Sequence, residues 1–242
     1  MLMNRLSGIF QTYCWRIIVL GLLITSPSAS RAQTTGGSGY QLDAYDIRGK
    51  VFTSVENEEE GSPYFNPQWV KGMVKFSTGH WVSQIELRYN LVDQQLFFRK
   101  NEQMFLFVDT VREFLLSPSE APGQSLRMFR SGYPVNGKFG PSTFYEVLAD
   151  GSRIQFVRLL LRKMLIQNNY AEGTRKVYKD APLLFWYQPS SGKWVNADHQ
   201  VEELLQAFPE LTETVAGFVK SHRSKLRKEE ELAELAVYLN QQ

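Results

Sequence analysis

Hydrolytic or metal chemistry in this chain would have to start from its histidine, serine and carboxylate side chains, and their spacing supports neither. His80 lies beside a turn signal, His199 at the start of a helical pattern and His222 in a basic stretch. None belongs to an H-E-x-x-H pair or a comparable spacing, so all three read as surface histidines and no metal site is expected. A serine nucleophile favours a Gly-x-Ser-x-Gly elbow between strand and helix. Gly37-Ser38-Gly39 falls in a small polar leader and Ser190-Ser191-Gly192 at a hairpin tip, so neither has that context. Triads and carboxylate pairs are defined by geometry and not by order along the chain, which leaves a hydrolase without a recognisable motif as a third reading. Glu58-Glu59-Glu60 lacks the spaced Asp, Asn and Gly of a calcium loop and reads as part of a solvated acidic loop, Glu56 to Glu60. Lys220, His222, Arg223, Lys225, Arg227 and Lys228 follow a helix end, where cations complement the helix dipole. No cofactor is expected and no catalytic residue is assigned.

Aromatic side chains carry more information. Tyr64, Phe65 and Trp69 cluster around Pro63 and Pro67 at the entry to a strand-rich region. They are the candidate ligand-binding residues, as a platform or lid for a sugar, lipid or peptide. The competing reading is a plug that closes one end of the core, because aromatic clusters are ordinary core material. For Trp69, whose neighbour Val70 leads straight into a strand, the plug is the favoured expectation.

The elements that hold these residues follow from hydrophobic period. Trp81, Ser83, Ile85, Leu87 and Tyr89 alternate with Val82, Gln84, Glu86 and Arg88, the period of a half-buried antiparallel strand. Val70 to Ser77 joins it through the hairpin signal Thr78-Gly79. Leu96-Phe97-Phe98, Met104 to Val108 and Val111 to Leu116 are apolar on both faces, which predicts a sheet covered on both sides. Pro118 to Gly123 and Gly132 to Pro141 read as loops. Asp150-Gly151 has the chemistry of a two-residue type I′ turn between Thr143–Leu148 and Ser152–Leu161. That tight link favours a strand over a helix for Ile154 to Leu165. A last hairpin is expected at Leu183 to Tyr187 and Lys193 to Val195, turning at Ser190-Ser191-Gly192.

After Asp198, the expected N-cap, the period becomes helical. Val201, Leu204, Leu205 and Phe208 form one stripe, Leu211, Val215, Phe218 and Val219 a second, and Leu232, Leu235, Ala236 and Leu239 a third, with Pro209 at a join. Strands followed by helices without alternation predict an α+β fold. The expected form is an antiparallel, curved sheet, as a meander, half-barrel or sandwich, followed by a short C-terminal helical segment.

The N-terminus reads as a targeting segment. Arg5 and Arg16 precede the apolar run Ile17 to Ile24, Thr25-Ser26-Pro27 breaks it, and Ser30-Arg31-Ala32 follows with small residues at the two positions a signal peptidase reads. The run is well short of the ~20 residues of a stable bilayer span, so cleavage before Gln33 is expected and no transmembrane span thereafter. The domain reading is residues 1–32 as signal peptide, 33–39 as flexible leader, 40–198 as an antiparallel β-rich region and 199–242 as helices packing on the same domain. The signal contains Arg5, Arg16 and Arg31 but no acid, so 27 Lys+Arg less those three leaves 24 against 25 Asp+Glu. A mature chain so close to neutral gives no argument for nucleic acid. Cys14 also leaves with the signal, and with it any thiol or disulfide chemistry.

Gly61-Ser62-Pro63-Tyr64-Phe65 with Trp69, Gly72-Met73-Val74, Leu87-Arg88-Tyr89-Asn90, Phe144 to Leu148 with Asp150-Gly151, and the tail from Leu204-Leu205 to Tyr238-Leu239-Asn240 together resemble uncharacterised exported β-rich proteins of Bacteroidetes-type bacteria. The resemblance implies an envelope location in a Gram-negative cell and carries no established activity. The functional expectation is an exported cell-envelope binding or interaction module, non-catalytic, with an unidentified envelope partner or ligand. It would be periplasmic, outer-membrane-associated or extracellular. A periplasmic carrier holding a lipid-like ligand in the curved sheet is the alternative.

Overall fold

The computed structural model describes residues 48–51, 59–117, 126–169, 173–197 and 201–242. The expected signal and leader, Gly37-Ser38-Gly39, Cys14, Glu56 to Glu58, the loop Pro118 to Gly123, Asp198 and His199 lie outside those residues. Within them the chain forms short strands and then helices, as the change of period predicts. The strands are β1 Gly49–Val51, β2 Glu59–Glu60, β3 Val70–Phe76, β4 Trp81–Asn90, β5 Gln95–Lys100, β6 Gln103–Phe107 and β7 Val111–Leu116, then β8 Arg127–Arg130, β9 Tyr145–Ala149, β10 Gln155–Leu159, β11 Arg162–Asn169, β12 Gly173–Asp180, β13 Leu183–Gln188 and β14 Lys193–Asn196. Three helices follow, α1 Val201–Ala207, α2 Thr212–His222 and α3 Glu229–Leu239, with Pro209 opening a single 3₁₀ turn between the first two.

Eleven described strands form one curved, open antiparallel sheet in the order β1-β6-β5-β4-β3-β7-β8-β9-β10-β13-β14. A separate sheet has the order β11-β12-β2, in which β2 runs parallel to β12. The α+β expectation therefore holds. The acidic loop is corrected at its end, since Glu59 and Glu60 pair with Lys176 and Val177 as a strand.

Period two in β4 is interrupted, and the interruption decides which rings face the core. Ile85, Leu87 and Tyr89 are buried as the alternation predicts. Gln84, however, adopts a left-handed φ of 60°, and the β3 register skips from Gly72–Ile85 to Met73–Ser83. The extra residue is a bulge, which turns every side chain before it to the opposite face. Val82 is thus buried and Trp81 sits on the outer face with Lys75, whose ammonium lies 5.4 Å from its ring. Full burial of Leu96, Phe97 and Phe98 in β5 matches the expectation of cover on both faces, whereas β6 is only half-buried. The β3–β4 hairpin turns through Gly79 at φ 86°, a conformation that favours glycine.

The type I′ turn at Asp150-Gly151 is corrected. Gly151 has no positive φ, and β9 reaches β10 through the five residues between Ala149 and Gln155. A side chain at Gly151 would collide with Asn240, just past α3. Asn240 Oδ1 accepts from the N–H groups of Arg153 (2.9 Å) and Ile154 (3.2 Å), and its Nδ2 donates to Ile154 O at 2.7 Å. The glycine therefore serves close approach to the helical tail, which satisfies the backbone of the connection in place of a hairpin ladder.

Three apolar clusters follow. β3, β4, β5, β7 and β8 turn one face inward around Tyr89, Phe114 and Phe129. Past β9 that face continues under the helices, where Phe156 and Trp186 meet Leu204, Phe218, Leu235 and Leu239. On the opposite side of β10 and β13, Tyr133, Tyr145, Phe185 and Tyr187 pack with Trp194. All three helical stripes are buried as expected, except that Leu205 is half-buried and Val219 exposed.

Candidate functional site

The entry segment separates its aromatic residues onto two faces of the sheet. It runs antiparallel to the end of β4: Phe65 N–H donates to Tyr89 O at 2.7 Å, Leu91 N–H to Pro63 O at 2.8 Å, and Tyr64 bridges Asn90. Arg162 fastens it from the other sheet, donating from Nη1 to Ser62 O (2.6 Å) and Tyr64 O (2.8 Å). With Tyr64 opposite Asn90 on the outer face, Phe65 points inward, its ring edge-on to Phe129 at 5.4 Å. Trp69 precedes Val70, which pairs with Leu87, and so it lies outward beside Arg88. The core plug expected of Trp69 thus falls to Phe65, while Trp69 is half-buried outside the three clusters. The physical reason is strand parity, which one residue of spacing inverts.

Tyr64 and Trp69 build a ladder with two arginines. The Arg88 guanidinium lies 4.6 Å from the Tyr64 ring and 4.7 Å from the Trp69 ring, and Arg99 lies 5.6 Å from Trp69. Cross-strand pairing places these groups: Arg88 faces Phe97, which is buried beneath the ladder, and Arg99 faces Glu86. Arg88 Nη2 donates to Pro67 O at 2.6 Å, and its Nε is buried with no hydrogen-bond partner among the described residues. Arg99 grips Glu86 with two of its nitrogens, Nε to Oε2 at 2.8 Å and Nη2 to Oε1 at 2.5 Å. That hydrogen-bonded pair holds the Glu86 carboxyl below the ordinary range and raises Arg99. The face therefore presents rigid, half-buried rings and fixed cations. Arg99 also reaches Glu102 Oε2 at 3.4 Å, so its guanidinium lies between two carboxylates as well as beside the Trp69 ring.

Other polar constellations are structural. Arg130 makes a two-nitrogen pair with Asp150 (2.9 and 2.8 Å) and contacts Glu113 at 3.3 Å. Gln155 donates to the same Asp150 at 2.7 Å and accepts from the Tyr133 hydroxyl at 3.0 Å. Arg130 lowers the Asp150 pKa, and burial pushes Tyr133 up to about 12. Glu146, 3% exposed, accepts two bonds from Arg158 at 2.8 and 2.9 Å, and Arg158 reaches Glu229 of α3 at 2.6 Å, joining sheet to helix.

A Ser–His contact also exists. Ser221 Oγ and His222 Nδ1 are 2.8 Å apart at the end of α2, beside an open groove lined by Phe218, Ala233, Val237 and Tyr238. Both groups also reach Phe218 O, at 3.1 and 3.2 Å, and the imidazole stacks on Phe218 at 4.2 Å. They close the last helical turn, and among the described residues no carboxylate accepts from the imidazole. Ser191 Oγ donates to Gln188 within its hairpin, and His80 stands at the β3–β4 turn. Among the described residues no three of His, Cys, Asp and Glu converge on a metal position, and no helix is long and apolar enough to cross a membrane. Arg88 and Arg99 were missed as candidates from sequence. The available signal was arginine at i and i+11 on paired strands, which acquires meaning only once the register is known. No protein-family model matches the chain, and no curated protein or solved structure matches it either.

Proposed function

We propose that this chain is an exported cell-envelope binding module, non-catalytic, which engages a partner through the face formed by Tyr64, Trp69, Arg88 and Arg99. The observation that carries this reading is the ladder itself, two half-buried rings interleaved with two guanidinium groups on the solvent side of the sheet. Trp, Tyr and Arg are the residue types that dominate binding energy at protein interfaces. Here their geometry is fixed before binding by Pro67 O and Glu86, which lowers the ordering cost of association. Export rests on the basic, apolar and small-residue order of the first 32 residues and on the resemblance to exported proteins. The carrier reading draws less support, because Tyr89, Phe114, Phe129 and Phe144 touch one another at 4.6–6.0 Å on the inner face where a ligand would sit.

Two measurements test the proposal. N-terminal sequencing of protein from the envelope fraction should begin at or near Gln33, and an intact Met1 there would overturn export. A photo-crosslinking residue at exposed Lys71, on the ladder face, should give a discrete adduct in that fraction that Arg88→Ala abolishes. No adduct, or one equally strong from exposed Glu213 on α2, would overturn the binding face.

A further inference from the structure

We propose that β11 is a self-association edge, and that two copies of this chain join by antiparallel pairing of β11 with β11, centred on Leu165. The hairpin of β11 and β12 carries an unusual exposure. Lys163 through Gln167 are all exposed, and three consecutive apolar residues, Met164, Leu165 and Ile166, are 44%, 38% and 64% accessible. Successive strand residues point to opposite faces, so Met164 and Ile166 lie on one side and Leu165 on the other. A partner laid against either face would leave the other apolar side in water. A strand added alongside β11 extends both faces at once.

Beyond Arg162 the edge carries no further strand among the described residues. β11 is an outer strand of its sheet and, among the described residues, pairs only with β12. Leu161 O accepts from Ala181 N–H at 2.9 Å, toward β12, whereas Arg162 N–H donates outward to Leu91 O at 3.2 Å. Main-chain groups in an antiparallel strand alternate sides, so those of Met164 and Ile166 point to the open edge. An exposed apolar edge of this kind is a template for another strand.

Register selects the second copy as occupant. With Leu165 opposite Leu165, Met164 of each chain faces Ile166 of the other, and those are the residues with outward main-chain groups. Lys163 then faces Gln167, and no like charges oppose one another. Lys163 already faces Lys179 within the hairpin, and a register centred on Lys163 would add a second such pair, which like charges disfavour. The pairing is short and belongs with the smaller interfaces, so the association is reversible.

Sedimentation of the purified chain over a concentration series should show a monomer–dimer equilibrium. Ile166→Pro removes an outward N–H that β12 does not use and should weaken association about tenfold or more, the equivalent of ~1.4 kcal/mol. Its circular dichroism should match the parent. A second test does not depend on that variant folding. In a Cys14→Ser background, Leu165→Cys sits on the two-fold axis, where opposed Cα atoms stand about 4.5 Å apart and within reach of a disulfide. Mild oxidation should therefore give a covalent dimer. Lys163→Cys, four strand positions or roughly 13 Å from its counterpart, should not. A chain that stays monomeric at every concentration, or equal cross-linking from both cysteines, would overturn the proposal.

Discussion

The two faces of the large sheet around strand β4 are built from the same aromatic vocabulary and use it in opposite ways. On the inner face rings meet rings: Phe114 stacks on Phe129 at 4.6 Å, Tyr89 sits edge-on to both, and none of the three is accessible. On the outer face rings meet guanidinium groups, as Trp69 lies between Arg88 and Arg99 and stays half-buried. Burial makes the inner rings a source of stability through apolar area removed from water. The outer rings retain contact with solvent and a geometry set by charge, so they contribute less to stability and remain accessible to a partner. Phe65 and Trp69, four residues apart in the chain, belong to different faces and have different physical roles.

That contrast breaks most visibly at Phe129. Phe129→Ala empties a ring-sized volume between Phe114, Tyr89 and Phe65 and should cost about 3–5 kcal/mol, lowering the melting temperature by on the order of 10 °C. A loss comparable to that of an exposed substitution would show that the inner face is loosely packed, and the distinction between faces would disappear. Trp69→Ala should cost far less, about 1 kcal/mol or a few degrees, because it removes two cation–π contacts at a partly solvated site and leaves no sealed cavity. A loss as large as that of Phe129→Ala would return Trp69 to the core-plug role.

The smallest effect sharpens the electrostatic side of the comparison. Glu86 is held below its ordinary pKa by Arg99, so its folded value lies under the unfolded value of about 4.3. A carboxyl depressed in this way stabilises the fold above the unfolded value and loses that contribution as pH falls through the folded one. Glu86→Gln should accordingly melt slightly below the parent at pH 7, and the gap should close as the buffer is taken down toward pH 2. Because the pair is partly solvated, added salt should also narrow the gap at pH 7. Thermal scans across that pH range decide the matter, and a gap that widened on acidification would mean that the pair does not form.

Sequence alone determined the class of fold and the most strongly periodic elements. Period two and period 3.6 are local signals, written in which residues must avoid water. They placed the β3–β4 hairpin at Thr78-Gly79, the final hairpin at Ser190 to Gly192 and the three helical stripes where they are found. The β11–β12 hairpin was not legible: Ile154 to Leu165 reads as one strand, whereas the structure divides it into β10 and β11 on different sheets, and β12 is a polar, charged run with no apolar alternation to announce it.

Tertiary structure alone decided facing and partnership. Nothing local marks Gln84 as the residue that takes φ 60°, yet that bulge moves Trp81 out of the core and Val82 into it. Asp150-Gly151 carried the chemistry of a tight turn, but Asn240, nearly ninety residues later, occupies the space beside Gly151 and supplies the hydrogen bonds a hairpin would have made. The ladder likewise requires Arg88 and Arg99 to be brought together with Trp69 by strand register. A sequence states what each segment avoids or prefers, whereas a contact between distant segments depends on the register in which they pair, and that is fixed by the whole sheet closing over its core.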